Sequence, residues 1–363
     1  MSHRQVLLNP GPVTLSDRVR SALTRGDWCH REPEFAELMR DINARLERVY
    51  SEMKGSFEAA TLTGSGTSAV EGMLHSFAPR EAATLVVSNG VYGERMASML
   101  AAQEKAHWNT EGSWLEPIDM RRVEALLDEH PEITHVVTVH HETTTGRLND
   151  LEALGSLCGT RRLSLLLDCV SSFGAEAIDV DGWNVTALAG TANKCLHASP
   201  GLAFVLARTE LWDPDAVAGS VYLNLHRYHA AQHGDGFSPF TQAVQVAFAL
   251  QEALAELEDE GGWRERGRSY HRRARVLADT LYAGNVETLL PDADYSAVLW
   301  SWVLPDDWTF ARLHDALKQR DIVIYAGQGD LSGRIFRISH MGDIDRELER
   351  VSRVFADCFP AVG

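Results

Sequence analysis

Two hydrophobic periods alternate along the first part of the chain. Apolar runs occupy residues 59–63, 83–88, 133–140, 165–168, 185–192 and 202–207, short enough to be strands and continuous enough to be buried. Elsewhere apolar residues recur at helical spacing, most clearly at Phe35, Leu38, Met39, Ile42, Leu46 and Val49. Strand and helix patterns therefore alternate from about residue 60 to 205. That alternation predicts an α/β architecture with a mainly parallel sheet covered on both faces, the run at 202–207 being its antiparallel member.

Farther along, the pattern changes. Residues 241–257 and 263–281 read as helices separated by Gly261-Gly262, followed by a strand at 297–303, a helix at 309–319, strands at 322–325 and 335–338, and a closing helix at 344–358. This is an α+β tail, so three units are expected: an arm at 1–25, a large domain at 26–262 and a small C-terminal domain at 263–363. In the arm, Val6-Leu7-Leu8 ends at Asn9-Pro10-Gly11-Pro12, and Ser16-Asp17 opens a short helix. The polar stretch 226–240 carries histidines without regular metal-ligand spacing and reads as a loop.

The apolar run Leu165-Leu166-Leu167 ends in Asp168, which such a strand delivers at the carboxyl edge of the sheet, where open α/β folds bind ligands. The run at 185–192 delivers Asn193-Lys194, with 194 − 168 = 26 residues between acid and lysine. Taken alone, an aspartate and a lysine form an ion pair more often than a site. At one sheet edge they suit pyridoxal phosphate, which needs a lysine for its Schiff base and an acid at its pyridinium nitrogen. Gly64-Ser65-Gly66-Thr67-Ser68 turns from a strand into a helix and offers backbone N–H groups to a phosphate. It is neither GxxxxGK[ST] nor GxGxxG, which weakens a nucleotide reading. Tyr92, between Gly90 and Gly93, is able to stack on a cofactor ring.

Net charge narrows the partners. With 34 basic and 51 acidic residues the chain carries −17 and has no dense basic block, which disfavours nucleic acid and anionic membranes. Five cysteines, without CxxC or zinc-like spacing, suggest neither a disulfide framework nor a metal site and fit a reducing cytoplasm. No apolar run approaches membrane-spanning length, and a soluble protein is expected.

Seven segments in order, LLNPGPVTLS, GSGTSAVE, VSNGVYGERM, HHETTTGRLND, DCVSSFGAEAIDV, ANKC and FRISHMG, resemble class V aminotransferases of PLP-transferase fold type I. Within that class the chain looks most like the 2-aminoethylphosphonate–pyruvate aminotransferases. The resemblance implies a seven-stranded, mainly parallel sheet in a large domain, a small C-terminal domain, and a homodimer with shared active sites. It implies pyridoxal 5'-phosphate as cofactor, a small-molecule amine and a keto acid as substrates, and reversible ping-pong transfer giving phosphonoacetaldehyde and L-alanine.

Carried onto matching positions, the resemblance makes Lys194 the Schiff-base lysine and Asp168 the partner of the ring nitrogen. Tyr92 stacks on the ring, Ser65, Gly66 and Thr67 hold the phosphate, Thr143 meets the ring hydroxyl, and Ser172 and Asn193 are further cofactor-binding residues. Arg337 clamps the keto-acid carboxylate, and His30 and Arg31 are candidate substrate contacts. Where the family has a threonine before Ser-Pro, this chain has Phe237, so Ser238 or Thr241 would reach the neighbouring subunit's phosphate. The segment HREPEF at 30–35 also departs from the pattern of catabolic members. A transaminase for a carboxylate-bearing amino acid (phosphonoalanine/phosphonopyruvate, or serine– or alanine–glyoxylate) is the alternative. A lyase lacks a cysteine in a persulfide loop, and a non-catalytic cofactor-binding relative is disfavoured because Lys194, Asp168 and Arg337 are all retained.

Overall fold

The computed structural model describes residues 4–216 and 219–361. Seven strands form the main sheet: β1 (Phe57–Gly64), β2 (Ala83–Val87), β3 (His107–Asn109), β4 (Ile133–Val139), β5 (Ser164–Asp168), β6 (Val185–Thr191) and β7 (Gly201–Arg208). Their order is β1-β7-β6-β5-β4-β2-β3. The neighbours from β6 to β3 are parallel, whereas β7 runs antiparallel to both β6 and β1, as the sequence pattern predicts. Lying antiparallel to β7, β1 therefore points the same way as β2 to β6. The turns leaving β1, β2, β4, β5 and β6 all open at one edge.

Consecutive residues of β5 explain the uninterrupted apolar run. Leu165 and Leu167 face a core built with helices Pro33–Leu46 and Val244–Asp259, while Leu166 faces a second core built with Gly66–Phe77 and Val91–Ala102. Because side chains alternate across a strand, burial on both faces removes the polar alternation. Strand β3 was not foreseen: its residues, an exposed Trp108 between half-buried His107 and Asn109, lie at the sheet edge and carry no apolar run.

A separate core collects Leu277, Leu281, Trp302, Leu313, Phe336 and Phe355 together with Val6 and Leu8 from the chain's start. Val6–Leu7 pairs in parallel with Ile322–Val323, and Tyr325–Ala326 joins Ile335–Ser339 in a three-stranded sheet with Leu299–Val303. The strand expected at 322–325 is thus two pieces serving two partners.

One expectation fails outright. The stretch at 226–240, read as a loop, begins with the helix Leu225–His233, whose first turn is capped by the Asn224 side chain accepting from Arg227 N at 3.3 Å. Leu225 and Tyr228 anchor it in the second core. The polar, histidine-rich outer face hides this spacing in the sequence. The following helix begins at Val244 rather than at 241.

Candidate active site

The register of the sheet brings the chemistry together. Asp168, the last residue of β5, lies level with Val139 of β4 and Ala189 of β6, and Gly64 ends β1 opposite Gly201. Burial pushes the Asp168 carboxyl up to about 6, against the opposing effects of an N–H from Val170 at 2.9 Å and the charges of Lys194 and Arg95. Lys194 follows β6 and, among the described residues, has no hydrogen-bond or ion-pair partner. Desolvation lowers its ammonium, an effect opposed by Tyr92, Cys195 and Asp168 and reinforced by Arg337. An amine without a partner, with a lowered pKa, is a competent nucleophile and proton carrier.

The N-terminal Pro-Gly-Pro turn belongs to this site. Gly11 has φ +118°, and a Cβ there would stand 2.9 Å from Lys194 Cδ. Glycine is required on both counts, conformation and close approach.

Across the cleft, Gly66 opens the helix Gly66–Phe77 beneath the turn after β5; a Cβ there would approach Val170 Cγ1 to 2.6 Å. The capping Ser65 side chain makes no cap bond, and Ser65 and Thr67 are exposed. Free N–H groups and two hydroxyls at the amino end of a helix of 12 residues suit a phosphate. Gly66, Thr67, Tyr92, Arg95, Asp168 and Val170 line one pocket, with the Arg95 guanidinium 4.7 Å from the Tyr92 ring centroid. An unpaired amine, a buried carboxylate, an aromatic wall and an anion cradle together fit pyridoxal phosphate. A larger cleft of about 410 Å³ between the Ser16–Arg18 turn and Asp345 holds no such set; its Arg273 and Asp345 are already paired to each other.

The turn after β4 is fastened to the Tyr92 helix. Glu142 accepts from Thr144 N at 3.1 Å, Thr144 Oγ1 at 2.6 Å and Gly93 N at 3.4 Å, while Thr144 Oγ1 accepts from Val91 N at 3.1 Å. Burial raises the Glu142 carboxyl to about 7. Thr143 is buried; its carbonyl accepts from Arg337 Nη1 at 2.8 Å, and among the described residues its hydroxyl has no partner. Arg337 also donates from Nε to the Ala326 carbonyl at 2.9 Å and from Nη1 to Gln328 Oε1 at 3.1 Å. No carboxylate pairs with it among the described residues, so a buried guanidinium is held only by neutral oxygens.

Other predicted residues occupy supporting positions. Ser172 is buried with its hydroxyl 3.0 Å from His140 Nδ1, and Asn193 Oδ1 accepts from Thr191 Oγ1 at 2.9 Å. Arg31 donates to the carbonyls of Ser238 at 2.8 Å and Pro239 at 3.3 Å, and His30 is half-buried without a bonded partner among the described residues. Ser238 is buried and accepts from Gln232 Nε2 at 2.8 Å, whereas Thr241 is exposed.

Sequence reasoning missed His141, Glu142, Arg95 and Gly11 as individual contributors. His141 Nδ1 lies 3.1 Å from the Ser171 carbonyl, while its Nε2 is buried without a partner among the described residues. Burial, with the nearby charge of Lys194, takes its imidazolium down to about 3, so the ring is neutral. Only its place in the HHETTTG motif signalled it.

A family model for class-V aminotransferases matches residues 39–335. Over 94% of both chains, the protein is 33% identical to a 2-aminoethylphosphonate–pyruvate transaminase of Bacillus cytotoxicus. It is 34% identical to the Aeromonas hydrophila enzyme of the same name, over 93% of this chain and 90% of that one. Among solved structures, alanine–glyoxylate aminotransferase of a Nostoc species superposes with a TM-score of 0.90 at 22% identity, covering 98% of this chain and 96% of that one.

Proposed function

Since the chain belongs to the class-V aminotransferase family, whose members depend on pyridoxal phosphate, we propose that it moves the amino group of 2-aminoethylphosphonate to pyruvate, giving phosphonoacetaldehyde and L-alanine. Identity of about one third with two such transaminases, over more than nine tenths of the chain, carries this reading. The bound cofactor supplies an electron sink and carries the amino group between the two half-reactions.

The chain's own residues do the rest. Lys194 would be the amine that holds the cofactor and, as general base and acid, would take and return the proton at the substrate carbon. Asp168 would keep a proton in place on the ring nitrogen. Tyr92 would stack on the ring, Thr143 would offer its hydroxyl to the ring oxygen, and Ser65, Gly66 and Thr67 would hold the phosphate. Arg337 receives the carboxylate of pyruvate or alanine, replacing neutral oxygens by a charged partner. The protein works as a cytoplasmic homodimer in which segment 234–243 completes the partner's site through Thr241, whose exposed hydroxyl is the better candidate than Ser238, committed to Gln232. Support for a covered surface comes from Val221 and Tyr222, apolar side chains 68% and 40% exposed in the chain alone. All five cysteines are free thiols, as a reducing compartment keeps them. Sedimentation of a fully active monomer would exclude the shared site.

A second reading is a carboxylate-bearing amino donor. Arg31, expected at the substrate, is occupied by the Ser238 and Pro239 carbonyls, while Arg337 is open to a carboxylate. One titration separates the two: the visible spectrum of the loaded enzyme with 2-aminoethylphosphonate, L-alanine, L-serine or phosphonoalanine. The proposal requires the phosphonate amine to convert the cofactor band at the lowest concentration and pyruvate to restore it. Conversion by carboxylate-bearing amines alone assigns the second reading.

A further inference from the structure

Away from the cofactor cleft, the helix Leu225–His233 crosses the start of β1 and brings together side chains that the transamination does not use. Glu58, His229 and His233 each offer a ligand atom, and these atoms all lie within 4.8 Å of one another. His229 Nε2 donates to Glu58 Oε2 at 2.7 Å, and His233 Nε2 donates to the Ala59 carbonyl at 3.0 Å. A second carboxylate, Glu47 at the C-cap of helix Pro33–Leu46, stands 3.9 Å from His233 Nε2.

The cluster is held in place. Spacing of i and i+4 puts both histidines on one helix face. The His229 ring is stacked between Trp212, at 4.3 Å and 2°, and His233, at 4.2 Å and 27°. Burial first, and His233 second, lower the His229 imidazolium, leaving the neutral ring that metals bind. Burial raises the Glu47 carboxyl, and Glu58 adds to the effect, so a cation there relieves the crowding of two acids.

We propose that Glu58, His229 and His233, with Glu47 as fourth donor, form a binding site for a divalent transition metal of the zinc class. Two imidazoles and two carboxylates make a borderline donor set that Zn²⁺ takes in a tetrahedron, whereas Mg²⁺ prefers oxygens and water in an octahedron. Ligands of one tetrahedral ion at about 2.1 Å lie roughly 3.4 Å apart. Binding therefore opens the 2.7 Å contact between His229 Nε2 and Glu58 Oε2, closes the wider separations of up to 4.8 Å by about an ångström, and shifts each ring proton from Nε2 to Nδ1. Glu58 is six residues before Gly64 in β1, about 20 Å at the rise of a strand, so the ion lies far from the phosphate cradle. Its effect is to fasten the helix that carries Gln232, the partner of Ser238, to the strand beneath it.

The test is calorimetric titration of the EDTA-treated, cofactor-loaded full chain with ZnCl₂, repeated with CoCl₂ and MgCl₂. One Zn²⁺ per chain is expected, with tetrahedral Co²⁺ d–d bands and no Mg²⁺ binding. Affinity falls roughly tenfold or more in His233→Ala and in Glu58→Gln, and Zn²⁺ raises the melting temperature of the wild type but not of these variants. His233 is exposed, so its removal leaves folding intact, which circular dichroism verifies. Undiminished Zn²⁺ binding in both variants overturns the site, as does no binding at millimolar Zn²⁺. Binding lost only in Cys29→Ser assigns the ion to that exposed thiol and overturns it equally.

Discussion

Arg273 and Arg337 are both buried, 6% and 2% exposed, in the last third of the chain, yet their guanidinium groups are satisfied differently. Arg273 sends Nε and Nη2 to the two oxygens of Asp345 at 2.7 and 2.9 Å, and Nη1 to the carbonyls of His340 and Gly342 at 2.8 and 2.9 Å. Arg337 meets only neutral oxygens, through Nε and Nη1. The lysines repeat the contrast: Lys105 Nζ donates to the carbonyls of Leu74, His75 and Ala78, whereas Lys194 has no partner among the described residues. A buried cation whose nitrogens are all bonded holds the fold together, as Arg273 and Lys105 do; one with a nitrogen left unbonded among the described residues, as at Arg337 and Lys194, is costly without a ligand and poised for one.

Substituting each side of that contrast tests it, and the largest effect is expected at Lys194. Lys194→Ala is expected to lose roughly a thousandfold or more in kcat, together with the visible band of the lysine-bound cofactor; an unchanged spectrum would remove the lysine from its role. Arg337→Lys replaces a fork by a point charge and is expected to raise KM for pyruvate and alanine about tenfold to a hundredfold, with a smaller change for the phosphonate amine. Steady-state kinetics showing equal losses for both substrates would reject the clamp. Arg273→Ala is the counterpart: about 2 kcal/mol of stability lost in denaturant titration, KM unaltered.

Asp168 adds a pH signature. Its folded pKa of about 6 lies above the ordinary 3.8, so between those values the folded chain binds the proton more tightly than the unfolded chain. Stability therefore falls as pH rises through that window and stays lower above it. Cofactor-free Asp168→Asn is expected to be more stable than the cofactor-free parent by roughly 2–3 kcal/mol at pH 8, with the gap closing toward pH 4; a gap independent of pH would contradict the assignment. The smallest effect belongs to Thr241→Ala, about tenfold weaker cofactor binding for one hydroxyl–phosphate hydrogen bond of ~1.5 kcal/mol, the low end for a charged acceptor, read by equilibrium dialysis.

Much of this was legible in advance because burial leaves a trace in composition. Strand β5 lies between two cores, so its run reads apolar throughout and ends where the sheet edge begins, exposing Asp168 as an anomaly. The helix at Leu225–His233 left no such trace, since only Leu225 and Tyr228 face the second core and the outer face is polar. Arg31 shows the same limit at the site: its charge was visible, its commitment to the Ser238 and Pro239 carbonyls was not.

The sequence by itself determined the alternating α/β architecture, the antiparallel β7, the delivery of Asp168 and Lys194 to one sheet edge and the family, because each rests on local periodicity or on ordered motifs. Tertiary structure alone decided that Gly11 lies against the Lys194 stem, that His141 and Glu142 are buried within electrostatic reach of Lys194 and Asp168, and that Val6 and Leu8 belong to the C-terminal core. It alone gathered Glu47, Glu58, His229 and His233. Contacts between segments far apart in the chain arise from strand register and packing, and no local period encodes them.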